Sequence, residues 1–267
     1  MISIDYEKCI GCGKCVRDCF TREIEIGDGK AVTKNKACIE CGHCVAICPM
    51  NAVTLDHYSL EDIVDCSAIE TTIEPDKYLN HLKARRTIRN FTDAEVSKED
   101  IRLILEAGRF SPTGGNLQNV AYYISQSDVA HLKDRIISEL YETGKQVVAT
   151  GETNNLYANY WLDMYEDYKK DGTDRLFFDA GTVMIISSDS PQSAIIAAAH
   201  METMIYSMGL GMLYSGFTAR AINKSEELRQ YLKLKDGYQV YAVLVVGHPN
   251  VEYVRTVPRK PAEVIWN

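Results

Sequence analysis

Cys9-Ile10-Gly11-Cys12-Gly13-Lys14-Cys15-Val16-Arg17-Asp18-Cys19 and Cys38-Ile39-Glu40-Cys41-Gly42-His43-Cys44-Val45-Ala46-Ile47-Cys48 are one pattern written twice, C-x2-C-x2-C-x3-C. Each cysteine of the second run stands 29 positions after its counterpart, and Pro49 follows the last. Three thiols so close in sequence can wrap one face of a small polynuclear centre. Gly11, Gly13 and Gly42 relax the backbone where it bends toward that centre. Zinc is the rival ligand, but zinc knots usually pair two short C-x2-C steps across a longer gap. Disulfides would call for an export signal, and residues 1–6 carry no basic-then-apolar pattern.

This spacing resembles bacterial ferredoxins with two [4Fe–4S] clusters. In that pattern the fourth cysteine of each run ligates the other cluster. One cluster would take Cys9, Cys12, Cys15 and Cys48, and the other Cys38, Cys41, Cys44 and Cys19. The exchange ties together two halves too small to build much of a core. Phe20 stands where the ferredoxin pattern usually has proline, which removes no ligand.

The chain has 267 residues, far more than the clusters need. About 56 residues serve them, and roughly 190 remain for a second domain of ordinary size. The expected division is 1–56 for the clusters, 57–80 as a linker and 81–267 as the second domain. A net charge of −8 and the lack of a basic stripe argue against a nucleic-acid role. No apolar run approaches the ~20 residues that span a bilayer. A reducing, oxygen-poor cytoplasm is the expected setting. Cys66 stands alone and reads as an ordinary thiol in the linker.

In the first domain, 2–5 and 53–56 read as terminal strands, and 23–26 and 31–33 as a hairpin around Gly27-Asp28-Gly29. Residues 59–66 read as a short helix with Ser59 as N-cap, broken by Glu74-Pro75. Helices are expected at 98–108, capped by Ser97, at 128–143, at 156–170 and at 190–208; strands at 120–125, 182–187 and 238–247. The 190–208 segment is nearly all apolar and belongs in a core or a subunit interface. The order is an α+β pattern. No G-x-G-x-x-G follows a strand, so a Rossmann nucleotide site is not supported.

Three segments of the second domain bear on chemistry. Arg85-Arg86-Thr87-Ile88-Arg89-Asn90-Phe91 could clamp a phosphate with guanidinium forks, or be a solvated surface. Ser111-Pro112-Thr113-Gly114-Gly115-Asn116-Leu117-Gln118 lets backbone approach a flat ligand, with Asn116 both donor and acceptor, or is a plain turn. Gly209-Leu210-Gly211-Met212-Leu213-Tyr214-Ser215-Gly216 could present N–H groups after a helix that Gly209 caps. Gly247-His248-Pro249 leads on to a second basic stretch, Pro258-Arg259-Lys260-Pro261.

Together, and in this order, these segments resemble the FMN-dependent nitroreductase family over about 81–267. The whole chain thus looks like a ferredoxin–nitroreductase fusion of the sort found in anaerobes. The resemblance implies an α+β fold with a central sheet flanked by helices, forming a homodimer with FMN at its interface. By position, Arg85, Arg86, Thr87 and Arg89 would hold the phosphate and ribityl chain, and Arg259 would complete the clamp. Asn116 would meet the pyrimidine side of the flavin with Gln118 nearby, and the backbone of Ser215 and Gly216 would face N5. The chain departs from the family at Asn119, often proline there, and at Tyr214-Ser215-Gly216, often Pro-Glu-Gly.

The fusion implies a low-potential donor such as ferredoxin, which loads the clusters singly. Hydride from flavin N5 would then reduce a small organic acceptor such as a nitroaromatic. No acid–base dyad is nominated, since the chemistry belongs to the cofactors. His200 reads as a hydrogen-bonded core or interface residue, and the aromatics of 157–168 as pocket roof or packing. Three other readings stay open: reduction of FMN directly by NAD(P)H; a redox carrier or sensor serving a protein partner; and the same fold with another reaction, dehalogenation, ene reduction or flavin fragmentation.

Overall fold

A computed structural model describes residues 1–151 and 157–267. The chain forms two compact units: Met1–Ile73 with Thr113–Leu117, and Glu74–Pro112 with Gln118–Asn267.

In the first unit β1 (Ile2–Ile4) pairs antiparallel with β4 (Val53–Leu55). β2 (Ile24–Gly27) and β3 (Lys30–Thr33) form the expected hairpin. Two short helices, α1 (Lys14–Asp18) and α2 (His43–Ala46), each follow a left-handed glycine, Gly13 and Gly42. Gly11 is required by space as well as by its φ of 68°, because a Cβ there would lie 1.9 Å from the Gly29 carbonyl oxygen. The core is small: Ile2, Ile24, Ala31, Ala52, Val53 and Leu55 pack with Cys9, Cys15 and Cys44.

The expected helix over 59–66 is shorter. Leu60–Asp62 and Cys66–Ala68 are single 3-10 turns, the first capped by Ser59 Oγ, which accepts from Glu61 N–H at 3.2 Å. Neither turn buries a residue, and short helices without a packed face are marginal in water. Glu74-Pro75 does not break a helix but begins one. In α3 (Pro75–Ala84) the Glu74 carboxylate accepts from Asp76 and Lys77 N–H, and Pro75 occupies a first-turn position where no N–H is missed.

The second unit holds an antiparallel sheet of order β5-β6-β8-β7, built from β5 (Val120–Ser125), β6 (Thr182–Ser188), β7 (Gly211–Tyr214) and β8 (Gln239–Gly247). Alternate residues of β6 and β8 serve opposite faces. Val183, Ile185, Val243 and Val245 face one core, and Met184, Ile186, Leu244 and Val246 the other. The first core is covered by α5 (Val129–Thr150), α6 (Ala158–Asp171), α8 (Gly216–Lys224) and α9 (Glu226–Tyr231). The second is covered by α4 (Lys98–Arg109) and α7 (Pro191–Ser207). The fold is thus α+β, a central antiparallel sheet between two helical layers. No described helix is long and apolar enough to cross a membrane.

Most elements lie where hydrophobic period and caps place them, with Ser97 and Ser190 accepting from their first-turn N–H groups. α5 runs beyond the expected 143. Gly144 sits inside it because a Cβ there would come 3.0 Å from the Ala158 carbonyl, so this glycine permits close approach of α6. The expected α6 start at Leu156 lies outside the described residues. α7 buries Ala194, Ala197, Ala198, Met201 and Ile205, yet leaves Ile195 50% and Ile196 37% exposed on its opposite side.

One ion pair of the second unit is buried. Asp174 accepts from Leu176, Phe177 and Asp179 N–H groups and pairs with Lys133 Nζ at 2.7 Å. Burial by itself would raise the Asp174 carboxyl, but the Lys133 ammonium and the Phe177 N–H outweigh it and hold the group below its usual range. A depressed carboxyl stabilises the fold above its unfolded pKa and loses that effect as pH falls through the folded value. Asp174→Asn should therefore destabilise by about 3 kcal/mol near neutral pH. The gap to the unmodified protein in chemical denaturation should shrink below the ordinary carboxylate range, and an unchanged gap there would contradict this account.

Candidate functional site

The eight cysteines of the repeat line two separate cavities of the first unit. One is bounded by Cys9, Cys12, Cys15 and Cys48, with Gly11, Gly13 and Ala31 in its wall. The other is bounded by Cys38, Cys41, Cys44 and Cys19, with Thr21 and Gly42. Each cavity therefore takes three thiols from one run and the fourth from the other, the arrangement that the ferredoxin resemblance implies. Among the described residues no three His, Cys, Asp or Glu groups converge as a single-ion site. Thiols set around a cavity fit a cubane; a lone zinc would need them drawn to one point.

Backbone N–H groups turn toward the sulfurs. Ala31 donates to Cys9 Sγ, Glu23 to Cys19 Sγ, Glu40 to Cys38 Sγ and Ala52 to Cys48 Sγ, all at 3.3–3.4 Å. Such bonds stabilise thiolate and raise cluster potentials. They hold the Cys9 thiol below its usual range, chiefly through Ala31 and Gly11 N–H. Burial acts the other way at Cys44 and pushes its thiol up to about 11, so iron must displace that proton.

The arginine run of the second unit is seated by its apolar members. Gly211 of β7 and Gly247 of β8 are register partners. A Cβ on Gly211 would lie 2.6 Å from Ile88 Cγ1, and one on Gly247 2.8 Å from Phe91 Cδ1. Ile88 and Phe91 thus plug the flat spot left by two paired glycines, and Ile88 N–H donates to Met212 O at 3.0 Å. Thr87 bridges Met212 in the same seating. The run then turns Arg85 and Arg86 toward α7. Arg85 Nη1 pairs with Glu202 Oε1 at 3.1 Å, and Arg86 N–H donates to Tyr206 Oη at 3.1 Å.

Arg86 carries the clearest signal for a ligand. Its Nη1 donates to the Arg85 carbonyl, while Nε and Nη2 are buried without a partner among the described residues. A buried guanidinium edge with two open donors is costly unless something accepts them. A phosphate fits that fork. Glu202 and Tyr206, which frame this end of the run, were not singled out from sequence. They lie more than a hundred residues on, inside a helix whose apolar composition hides them.

The other expected contacts divide. Arg89 is exposed. The Ser215 N–H is committed to Val243 O at 2.8 Å and its hydroxyl to Thr218 at 2.7 Å, so Gly216, opening α8, is the member of that pair with a first-turn N–H. Gln118 is exposed with φ 47° in the second unit. Asn116 belongs to the first unit, where its amide donates to Ile39 O and Glu40 O. Arg259 lies on an exposed tail and donates to the Pro258 carbonyl at 3.4 Å. His200 Nδ1 meets Ser111 Oγ at 2.9 Å, joining α7 to the end of α4. In α6, Trp161 and Met164 are core residues, while Tyr157 and Tyr160 lie against Phe217 of α8. Gly209 caps α7 with φ 74°, and the next N–H, of Leu210, returns to Ile205 O.

Comparison with known proteins agrees with this architecture. A 4Fe-4S dicluster domain model matches residues 1–49, and the nitroreductase family model matches residues 82–248. No curated protein matches the chain. Among solved structures, an FMN-bound nitroreductase from Bacteroides fragilis is 17% identical with a TM-score of 0.55, covering 71% of this chain and 98% of its own. An FMN-bound nitroreductase from Desulfitobacterium hafniense is 20% identical with a TM-score of 0.53, over 71% and 98%. A BluB-like flavoprotein from Clostridium difficile is 17% identical with a TM-score of 0.51, over 71% and 96%. The shared sheet and helical layers are a likeness of fold; the match over more than half of the chain's length makes it a member of the nitroreductase family that begins with a 4Fe-4S dicluster domain.

Proposed function

We propose that this protein is a flavin- and iron–sulfur-dependent oxidoreductase. It takes electrons from a low-potential donor, ferredoxin, through two clusters and reduces a small organic acceptor such as a nitroaromatic. The observation that carries this reading is the pairing, in one chain, of two four-cysteine cavities with the open, buried fork of Arg86. When bound, [4Fe–4S] clusters supply single electrons and FMN supplies a store for two.

The chain's own residues bind and orient. Arg86 would hold the FMN phosphate, with Arg85 fixed beside it by Glu202, and the Gly216 N–H would meet the flavin ring. The FMN-bound relatives of the same fold support that choice of cofactor. The exposed Ile195 and Ile196 of α7 support a homodimer, since an apolar helix face of this kind is usually covered. A cytoplasmic setting follows from the redox lability of the clusters.

The test is anaerobic turnover of a simple nitroarene with reduced ferredoxin as donor, together with extraction of the bound flavin. The expected result is FMN in the extract and ferredoxin-dependent loss of the nitro group. Protein that retains FMN but turns over no small acceptor would instead be a carrier.

A further inference from the structure

Asn116 was expected at the pyrimidine edge of a flavin, but within the first unit its side chain has other work. Its Nδ2 lies 3.1 Å from Ile39 O and 3.0 Å from Glu40 O. The two amide hydrogens thus have two carbonyl acceptors within the first unit. Ile39 and Glu40 are the two residues between Cys38 and Cys41. They form the backbone loop that must hold both sulfurs on one face of the second cavity.

That loop holds an uncommon backbone conformation, which a clamp would help to fix. Glu40 has φ 51°, uncommon for a residue with a Cβ. Its N–H donates to Cys38 Sγ at 3.3 Å, so the same peptide turn that orients the sulfur bond also presents the carbonyls to Asn116. Met1 and His57 hold the Glu40 carboxylate from another side at 3.0 and 2.9 Å. The segment that delivers Asn116 is itself in an unusual conformation, with Gly115 at φ 58° and Asn116 at φ 56°. Among the described residues the counterpart carbonyls of the first cavity, those of Ile10 and Gly11, have no such side-chain donor; Lys30 of the ferredoxin hairpin ties the preceding carbonyls of Tyr6 and Cys9 instead. The two cavities are duplicates in sequence, so a side chain serving only one makes them inequivalent.

We propose that Asn116 is a positioning residue for the second cluster, that of Cys19, Cys38, Cys41 and Cys44. It fixes the Ile39–Glu40 peptides, and through them the N–H bond to Cys38 Sγ. Donors to sulfur tune the reduction potential of a cluster and shield it from loss. The inference rests on the two-cluster reading, which iron analysis of the unmodified protein tests separately, at about eight irons per chain.

The experiment uses full-length protein carrying Asn116→Ala or Asn116→Asp, reconstituted anaerobically. Asparagine to aspartate keeps the shape but removes both donors and sets a carboxylate against two carbonyls. Potentiometric titration followed by EPR should show one of two cluster waves displaced and the other unmoved in each variant, more so with aspartate. A chelator should draw off about half of the iron faster than in the unmodified protein, with FMN content unchanged. Two unmoved waves with loss of FMN would overturn the proposal and return Asn116 to the flavin. Unmoved waves with FMN retained would overturn it too. Low iron in the unmodified protein would instead condemn the cluster reading beneath it.

Discussion

Alanine at Cys41, or at Cys12, should strip iron from the protein and abolish ferredoxin-driven reduction of the flavin, while the flavin itself stays bound. Both sulfurs are exposed members of their cavities, so each loss opens an iron directly to water. The effect should not stay confined to one cluster. Cys48 reaches into the first cavity and Cys19 into the second, so each chain segment is held at both sites. The core between them is a handful of small apolar residues, too little to keep the halves in register without metal. Iron and flavin should be measured on the same samples. Loss of FMN with iron intact would sink the assignment of the two cofactors to separate units.

Arg86→Ala should weaken FMN binding by about a hundredfold. Two buried guanidinium donors have no acceptor among the described residues, and a hydrogen bond to a charged group contributes ~1.5–3 kcal/mol. The loss of one strong bond or two weaker ones is about 3 kcal/mol, which is roughly that factor in affinity. Arg86→Lys should recover only part of it, because an ammonium is a point charge and cannot present a fork. Removing the guanidinium also relieves a buried unsatisfied group in the flavin-free protein, so stability without flavin should hold or rise. Titration of the apoprotein with FMN reads the first effect, and thermal unfolding without FMN reads the second. Undiminished FMN affinity would remove Arg86 from the phosphate site.

Much of the fold is legible in sequence because its signals are local. The cysteine repeat carries the ferredoxin resemblance that implies the ligand exchange, and Ser97 and Ser190 mark helix starts that the structure keeps. The short apolar run of β6 reads directly as a strand, although which residue faces which helical layer is decided only by the sheet order. Glu74-Pro75 shows the limit of a local rule. The same dipeptide can end one helix or open another, and the partner that decides is the pair of N–H groups on Asp76 and Lys77.

The site is less legible, since its geometry depends on contacts far apart in the chain. The arginine run reads as charge, yet its seating is decided by Ile88 and Phe91 against Gly211 and Gly247. Nothing within the run says that one edge of the Arg86 guanidinium is buried while Arg89 is exposed. Ser215 and Gly216 are neighbours in sequence, but sheet pairing to Val243 takes one N–H and leaves the other at a helix start. Asn116 looks equally suited to a flavin edge or to a peptide carbonyl. Only the fold supplies Ile39 and Glu40 as its acceptors.

The central claim is that electrons reach the second unit's cofactor from ferredoxin by way of the clusters. It is tested most directly by anaerobic stopped-flow reduction of the cluster-replete protein, following flavin and cluster absorbance separately. Reduced ferredoxin, NADH and NADPH are compared as donors. The account predicts fast flavin bleaching with ferredoxin, lost in Cys41→Ala, and slow or no bleaching with either nicotinamide. Fast bleaching by NADH or NADPH that survives loss of the clusters, with none from ferredoxin, would contradict it.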